Sequence, residues 1–85
     1  MSKTKILYFS AAWCPPCKMM KPMIKELVED GFNIDKVDVD ENRELSGEFQ
    51  VRSIPTMVHV DSEGKELSRL VGMQSSATLI NLLNK

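Results

Sequence analysis

Cys14 and Cys17 lie in the run Trp13-Cys14-Pro15-Pro16-Cys17-Lys18, with two prolines between the sulfurs. If this run opens a helix, residues i and i+3 share one face about 5 to 6 Å apart, within disulfide reach. The pair then opens and closes with little backbone movement. A sulfur at the cap position also meets the positive end of the helix, which favours thiolate over thiol and so favours nucleophilic attack. Cys14 holds that place. Cys17, one turn further in, is expected to be covered and to react second. This is an arrangement for thiol–disulfide exchange.

Three other chemistries compete for the same pair. Structural zinc asks for about four ligands, and only His59 is available to join these sulfurs, from a strand whose neighbours read as core. A purely structural bridge across so short a loop removes only about 2 kcal/mol of unfolded-state entropy. Two inert buried thiols are the third alternative. The placement of the pair between a strand and a helix favours redox work over all of them.

Positioning the pair requires that strand and that helix. Ile6-Leu7-Tyr8-Phe9 is a short apolar run, the pattern of a strand buried on both faces, and it ends at the small residues Ser10 to Ala12. From Pro15 the period changes: Cys17, Met20, Ile24, Leu27 and Val28 recur at helical spacing, with Lys18, Lys21, Lys25 and Glu29 between them. Prolines fit a first helical turn, where an amide hydrogen is unpaired anyway, and Gly31 supplies a stop. Pro22 is predicted to kink the helix.

Asn33 to Val39 reads as a second strand, parallel to the first because a right-handed crossover connects them. Glu41 to Gln50 reads as a short helix presenting Leu45 and Phe49, Thr56 to Val60 as a third strand, and Glu66 to Val71 as a fourth. A turn at Asp61-Ser62-Glu63-Gly64 joins the last two strands. Ser75 or Ser76 caps a closing helix with Leu79, Ile80, Leu82 and Leu83 on one face. The predicted fold is α/β, in the order βαβαββα, with a four-stranded mixed sheet flanked by three helices.

At 85 residues, 42% hydrophobic and 27% charged, the chain has the size of one soluble domain, residues 1–85, with no room for a second. A formal net charge of -1 supplies no global positive field, so nucleic acid is not expected as a ligand. The opening Met1-Ser2-Lys3-Thr4-Lys5 and the small residues Ser10-Ala11-Ala12 imitate a signal peptide, but the apolar stretch between them is too short. No segment approaches the roughly 20 apolar residues of a membrane span. The expectation is a cytoplasmic monomer with no membrane contact and no bound cofactor, and two cysteines in that compartment point to chemistry.

Trp13-Cys14-Pro15-Pro16-Cys17-Lys18 resembles the Trp-Cys-Gly-Pro-Cys-Lys signature of the thioredoxin family. Ile54-Pro55-Thr56 resembles the family's cis-proline loop, Pro22 its helix proline, Lys36 its lysine on the following strand, and Gly72 the glycine closing its substrate groove. The likeness runs from about residue 6 to the C-terminus, without the family's first strand and helix, so the chain resembles a minimal, glutaredoxin-sized version. The resemblance implies that Cys14 attacks a partner's disulfide and that Cys17 resolves the mixed disulfide. It also implies that Pro55 is cis and lies beside the pair, leaving the Ile54 backbone free for an extended substrate strand, and that Trp13 is a flat contact surface. Disulfide-bearing proteins are then the substrates, and a thioredoxin-reductase-like protein or glutathione the source of electrons.

The sequence departs from the family in three places. Tyr8 stands where thioredoxins usually hold a buried aspartate that helps deprotonate the second cysteine, and a phenol with reference pKa of about 10 is a poor acceptor at neutral pH. Water positioned by Tyr8 and Lys36 is expected to take over that task. Pro15 and Pro16 both lack an amide hydrogen, which leaves fewer donors for a Cys14 thiolate. Charge is sorted along the chain: Lys3, Lys5, Lys18, Lys21 and Lys25 precede residue 26 with no acid, and nine acids follow by residue 50. On the first helix Lys18 and Lys21 sit near the positive end, against the dipole, and read either as a positive rim beside the cysteines or as a solvated face.

Two other functions fit parts of the same pattern. A glutaredoxin-like, glutathione-dependent reductase suits the short chain, but Gly72-Met73-Gln74-Ser75 offers one glycine and no acid where glutaredoxins usually carry paired glycines and an acid. A thioredoxin-like binding subunit would use the groove around Trp13, Pro55 and Gly72 without turnover.

Overall fold

Residues Ile6 to Phe9 are all buried in the computed structural model, which describes residues 3–84. Met1, Ser2 and Lys85, the ends of the expected 1–85 domain, lie outside the described residues. The strand carrying the apolar run is β1 (Lys5–Ser10), and core covers both of its faces. It is followed by α1 (Pro15–Glu29), β2 (Ile34–Asp38), α2 (Arg43–Glu48), β3 (Thr56–Val60), β4 (Glu66–Val71) and α3 (Ser76–Leu83), the predicted βαβαββα order.

The sheet has the order β2-β1-β3-β4. β2 runs parallel to β1, as a right-handed crossover through α1 requires, and β3 and β4 run antiparallel to their neighbours. The mixed sheet is therefore the expected one. Ile6, Tyr8, Ile34 and Met57 face α1 and α3, meeting Met20, Ile24, Leu27, Leu79 and Leu82. On the other face Leu7, Phe9, Val37, Val58 and Val60 meet Leu45 and Phe49 from α2 and its end. β1 and β3 are covered on both sides, and the loops that carry the cysteines and Pro55 are attached at their ends.

Each helix boundary has a local cause. α1 begins with Pro15 and Pro16 in its first turn and continues through Pro22 to Glu29. It closes with the amides of Gly31 and Phe32 donating to the carbonyls of Val28 and Leu27; Gly31, at φ +94°, supplies the left-handed residue that this ending needs. α2 is shorter than the predicted 41–50. The Asp38 carboxylate accepts the amides of Asp40 at 2.8 Å and Glu41 at 3.2 Å, which holds the chain in a turn until Asn42. Beyond Phe49, Gln50 adopts φ +52° and ends the helical path. Of the two candidate caps for α3, Ser75 is the one used, its hydroxyl accepting the amide of Thr78.

Ile24 is fully buried between α1 and the sheet. Removing one methylene there in Ile24→Val is expected to cost about 0.5 to 1.5 kcal/mol, read as a lower urea midpoint with an unchanged slope. A second prediction concerns acid. Arg69 grips both Glu66 carboxylate oxygens at 2.6 Å and holds that carboxyl below the usual range. A carboxyl lowered by folding stabilises fully above its unfolded value of about 4.3, and that contribution is lost as pH falls through the folded value. Wild type and Glu66→Gln are therefore expected to differ in urea midpoint at neutral pH and to converge in strong acid; a gap unchanged by pH contradicts this.

Candidate active site

β1 ends at Ser10, and Cys14 is the residue from which α1 starts. Its backbone is extended, with φ -89° and ψ 112°, while its carbonyl already accepts the amide of Lys18 at 3.0 Å. That is the geometry of an N-cap, and the capping atom is the sulfur: the Cys17 amide donates to Cys14 Sγ at 3.3 Å. Since Pro15 and Pro16 have no amide hydrogen, Cys17 carries the first amide that the helix offers to this sulfur. The two Cα atoms are 5.2 Å apart and the sulfurs are joined in a disulfide. The expected pairing is thus formed, on the expected cap.

Cys17 is covered, as expected, and Cys14 is covered as well. Cys14 is 2% and Cys17 4% exposed, so both are sheltered. The reason is tertiary: Ala11 lies beside the pair, and Val39 and Ile54 pack against it from distant parts of the chain. Cys14 Sγ lies 3.9 Å from the Ile54 carbonyl oxygen, an acceptor for the thiol form.

The Ile54-Pro55 bond is cis, as the family resemblance implies. The Pro55 carbonyl accepts the amide of Gly72 at 2.8 Å, and Gly72 stands at φ +90°, where side chains other than glycine's are strained. Four of the predicted site residues, Cys14, Cys17, Ile54 and Pro55, thus converge, with Gly72 tied to them through Pro55. Trp13 is 63% exposed, so its ring lies at the surface. Its indole N–H donates to Asp40 Oδ2 at 2.8 Å. Asp40 was not among the predicted residues; it follows the end of β2, and only the fold brings it to Trp13.

Behind the pair is a cavity of about 410 Å³ whose walls include Tyr8, Cys17, Lys18, Lys21, Lys36 and Asp38. The three supporting residues predicted from sequence, Tyr8, Lys18 and Lys36, therefore meet in one place. Tyr8 O–H donates to the Cys17 carbonyl at 3.4 Å, and burial pushes the phenol above its ordinary pKa. Lys21, expected only as part of the positive rim, also lines the cavity, and Asp38 was missed as a site residue. The signal was present in the helical spacing of Lys18 and Lys21 and in the alternation of Lys36 and Asp38, but which faces the two elements turn toward each other depends on packing.

A family model described as thioredoxin matches residues 1–85. A thioredoxin of Staphylococcus haemolyticus is 40% identical over 87 residues, covering 99% of this chain and 83% of that protein. A bifunctional thioredoxin reductase/thioredoxin of Mycobacterium leprae is 40% identical over 86 residues, covering 98% of this chain and 19% of that protein. Among solved structures, a point-mutant thioredoxin from Halobacterium salinarum superposes with a TM-score of 0.85 at 34% identity, over 96% of this chain and 73% of that one. A thioredoxin from Nicotiana alata gives 0.84 at 34% identity, over 96% and 72%.

Trp13 is the one tryptophan of the sequence, so fluorescence reports on it alone. Removing its carboxylate partner in Asp40→Ala is expected to lower the fluorescence anisotropy of the indole and to change global stability by less than about 1 kcal/mol, as for an exposed contact. An unchanged anisotropy would show that the ring is held by something other than Asp40.

Proposed function

The chain belongs to the thioredoxin family and is a thiol-disulfide oxidoreductase acting on protein disulfides through Cys14 and Cys17, and from that premise we propose how its residues divide the work. The observation that carries the proposal is the sulfur cap: the Cys17 amide at 3.3 Å from Cys14 Sγ, at the positive end of a helix of 15 residues. A negative charge on Cys14 is favoured there by a charge-assisted hydrogen bond and by the aligned peptide dipoles.

In the reduced protein the Cys14 thiolate attacks one sulfur of a substrate disulfide, and the other substrate sulfur leaves as a thiolate. Cys17, as thiolate, then attacks Cys14 Sγ. The Cys14–Cys17 bond forms, the mixed disulfide breaks, and the substrate departs with both electrons. Ile54, Pro55 and Gly72 form the groove in which an extended substrate strand binds, with the Ile54 carbonyl as an acceptor for its backbone. Trp13 lies against the substrate as a flat apolar surface braced by Asp40, and Lys18 supports the thiolate with its charge. Tyr8 and Lys36 act behind Cys17.

An external dithiol must restore the pair. A separate reductase protein is the proposed source, supported by the bifunctional thioredoxin reductase/thioredoxin relative of Mycobacterium leprae. The proposed working form is a monomer of one domain in the cytoplasm; among the described residues no helix is long and apolar enough to cross a membrane.

Reduction of a disulfide-linked protein by dithiothreitol tests the assignment of roles. Cys14→Ser is expected to fall to the uncatalysed rate. Cys17→Ser is expected to stop after one event, trapped on the substrate through Cys14, as seen by non-reducing electrophoresis and mass spectrometry. Iodoacetamide is expected to modify Cys14 before Cys17 in the reduced protein. First modification at Cys17, or undiminished turnover by Cys14→Ser, would reverse or remove these roles.

A further inference from the structure

Cys17 has to lose a proton before it can attack, and the question is where that proton goes. In the parallel ladder between β1 and β2, Tyr8 is paired with Lys36 and Ser10 with Asp38. Side chains two apart on a strand share a face, so these four lie on the face that Ile6 and Ile34 turn toward α1 and α3. α1 adds Cys17, Lys18 and Lys21 from above. The space between is the cavity of about 410 Å³, polar enough and large enough for several water molecules.

Each titratable group of this cavity has a different capacity. Tyr8 presents an O–H already directed at the Cys17 carbonyl, and its burial makes the phenol harder to ionise. Lys18, Lys21 and Lys36 are ammonium ions, which stabilise a thiolate but accept no proton. Asp40 is turned away, toward the indole of Trp13. Asp38 is the carboxylate of the cavity wall. Its Oδ1 accepts the amides of Asp40 and Glu41 at 2.8 and 3.2 Å, which fixes the side chain. Among the described residues no donor occupies its Oδ2.

We propose that Asp38 accepts the Cys17 proton through water in this cavity, while Lys18, Lys21 and Lys36 hold the charge of the thiolate that remains. The proposal rests on the exchange mechanism in which Cys17 resolves the Cys14 mixed disulfide. It moves the base from the position of Tyr8 on β1 to the neighbouring strand, and it leaves Tyr8 as a wall. During resolution the Cys17 S–H proton passes by water to the Asp38 carboxylate, and the Cys17 electron pair forms the bond to Cys14 Sγ. The bond from Cys14 Sγ to the substrate sulfur breaks with its electrons on the substrate. Asp38 then passes that proton to the leaving thiolate or to solvent, which returns it to its ionised form.

The reduced protein mixed with 5,5′-dithiobis(2-nitrobenzoate) releases a coloured thiolate twice, first when Cys14 attacks and again when Cys17 resolves. A carboxylate base makes the second release nearly independent of pH between about 5.5 and 7.5; without one the rate follows the thiolate fraction and rises about tenfold per pH unit. Wild type is expected to give the flat profile and Asp38→Asn the rising one. Asp38→Asn should also slow the second release at neutral pH by about tenfold or more while leaving the first within about twofold. The asparagine oxygen keeps an acceptor for the two amides, so thermal unfolding should be little changed. Tyr8→Phe is expected to keep the flat profile of the second release, since the base lies on the neighbouring strand. A rising wild-type profile overturns the proposal without any variant, as does an Asp38→Asn protein with the wild-type rate and profile. Absence of the first release would instead remove the exchange mechanism itself.

Discussion

The hydrogen bond from the Cys17 amide to Cys14 Sγ, 3.3 Å long, is the contact on which the chemistry depends. Most helices satisfy their first amides with an oxygen. Here a sulfur does so, and the same bond that starts α1 also lowers the cost of charge on the nucleophile. The two prolines sharpen this. By removing their own amide hydrogens they leave the Cys17 amide as the first one the helix directs at the sulfur, and they fix the backbone of that turn near helical values in advance.

That cap is useful only if the strand before it is immobile and a second segment closes on it. β1 supplies the first condition through burial on both faces, the arrangement that a short apolar run permits. The second comes from the far end of the chain. Pro55 enters β3, Gly72 leaves β4, and the bond between the Pro55 carbonyl and the Gly72 amide ties these two points together beside the cysteines. Since β3 lies next to β1 in the sheet, a loop at its start is carried to a loop at the end of β1 by antiparallel pairing.

Charge is distributed to match. The lysines gathered at the start of α1 oppose its dipole, which on a bare helix costs about 0.3 to 1 kcal/mol each when exposed. Next to two sulfurs that must pass through an anionic state the same charges are favourable. With a phenol in place of a carboxylate at Tyr8, the cavity behind Cys17 is positive on balance, with Lys18, Lys21 and Lys36 against Asp38. Such a site stabilises the thiolate by its field.

Much of this was legible in the amino-acid order alone. The Cys14–Cys17 spacing, the change from a buried run to a helical period at Pro15, and the glycines at 31 and 64 are local signals. Local signals are set by backbone sterics and by periodicity within a few residues. They gave the element order and the cap. What they could not give was any relation between residues on different elements. The shelter of Cys14 by Val39 and Ile54, the brace from Asp40 to Trp13, and the cavity that Asp38 shares with Cys17 each join segments that the sequence holds apart. The shortened α2 belongs with them, because the Asp38 carboxylate that delays its start is placed by the end of β2. Sequence determines which face of a strand or helix is apolar; which polar residues meet across two such faces is decided by strand register and helix packing, where a shift of one residue would send every side chain to the other side.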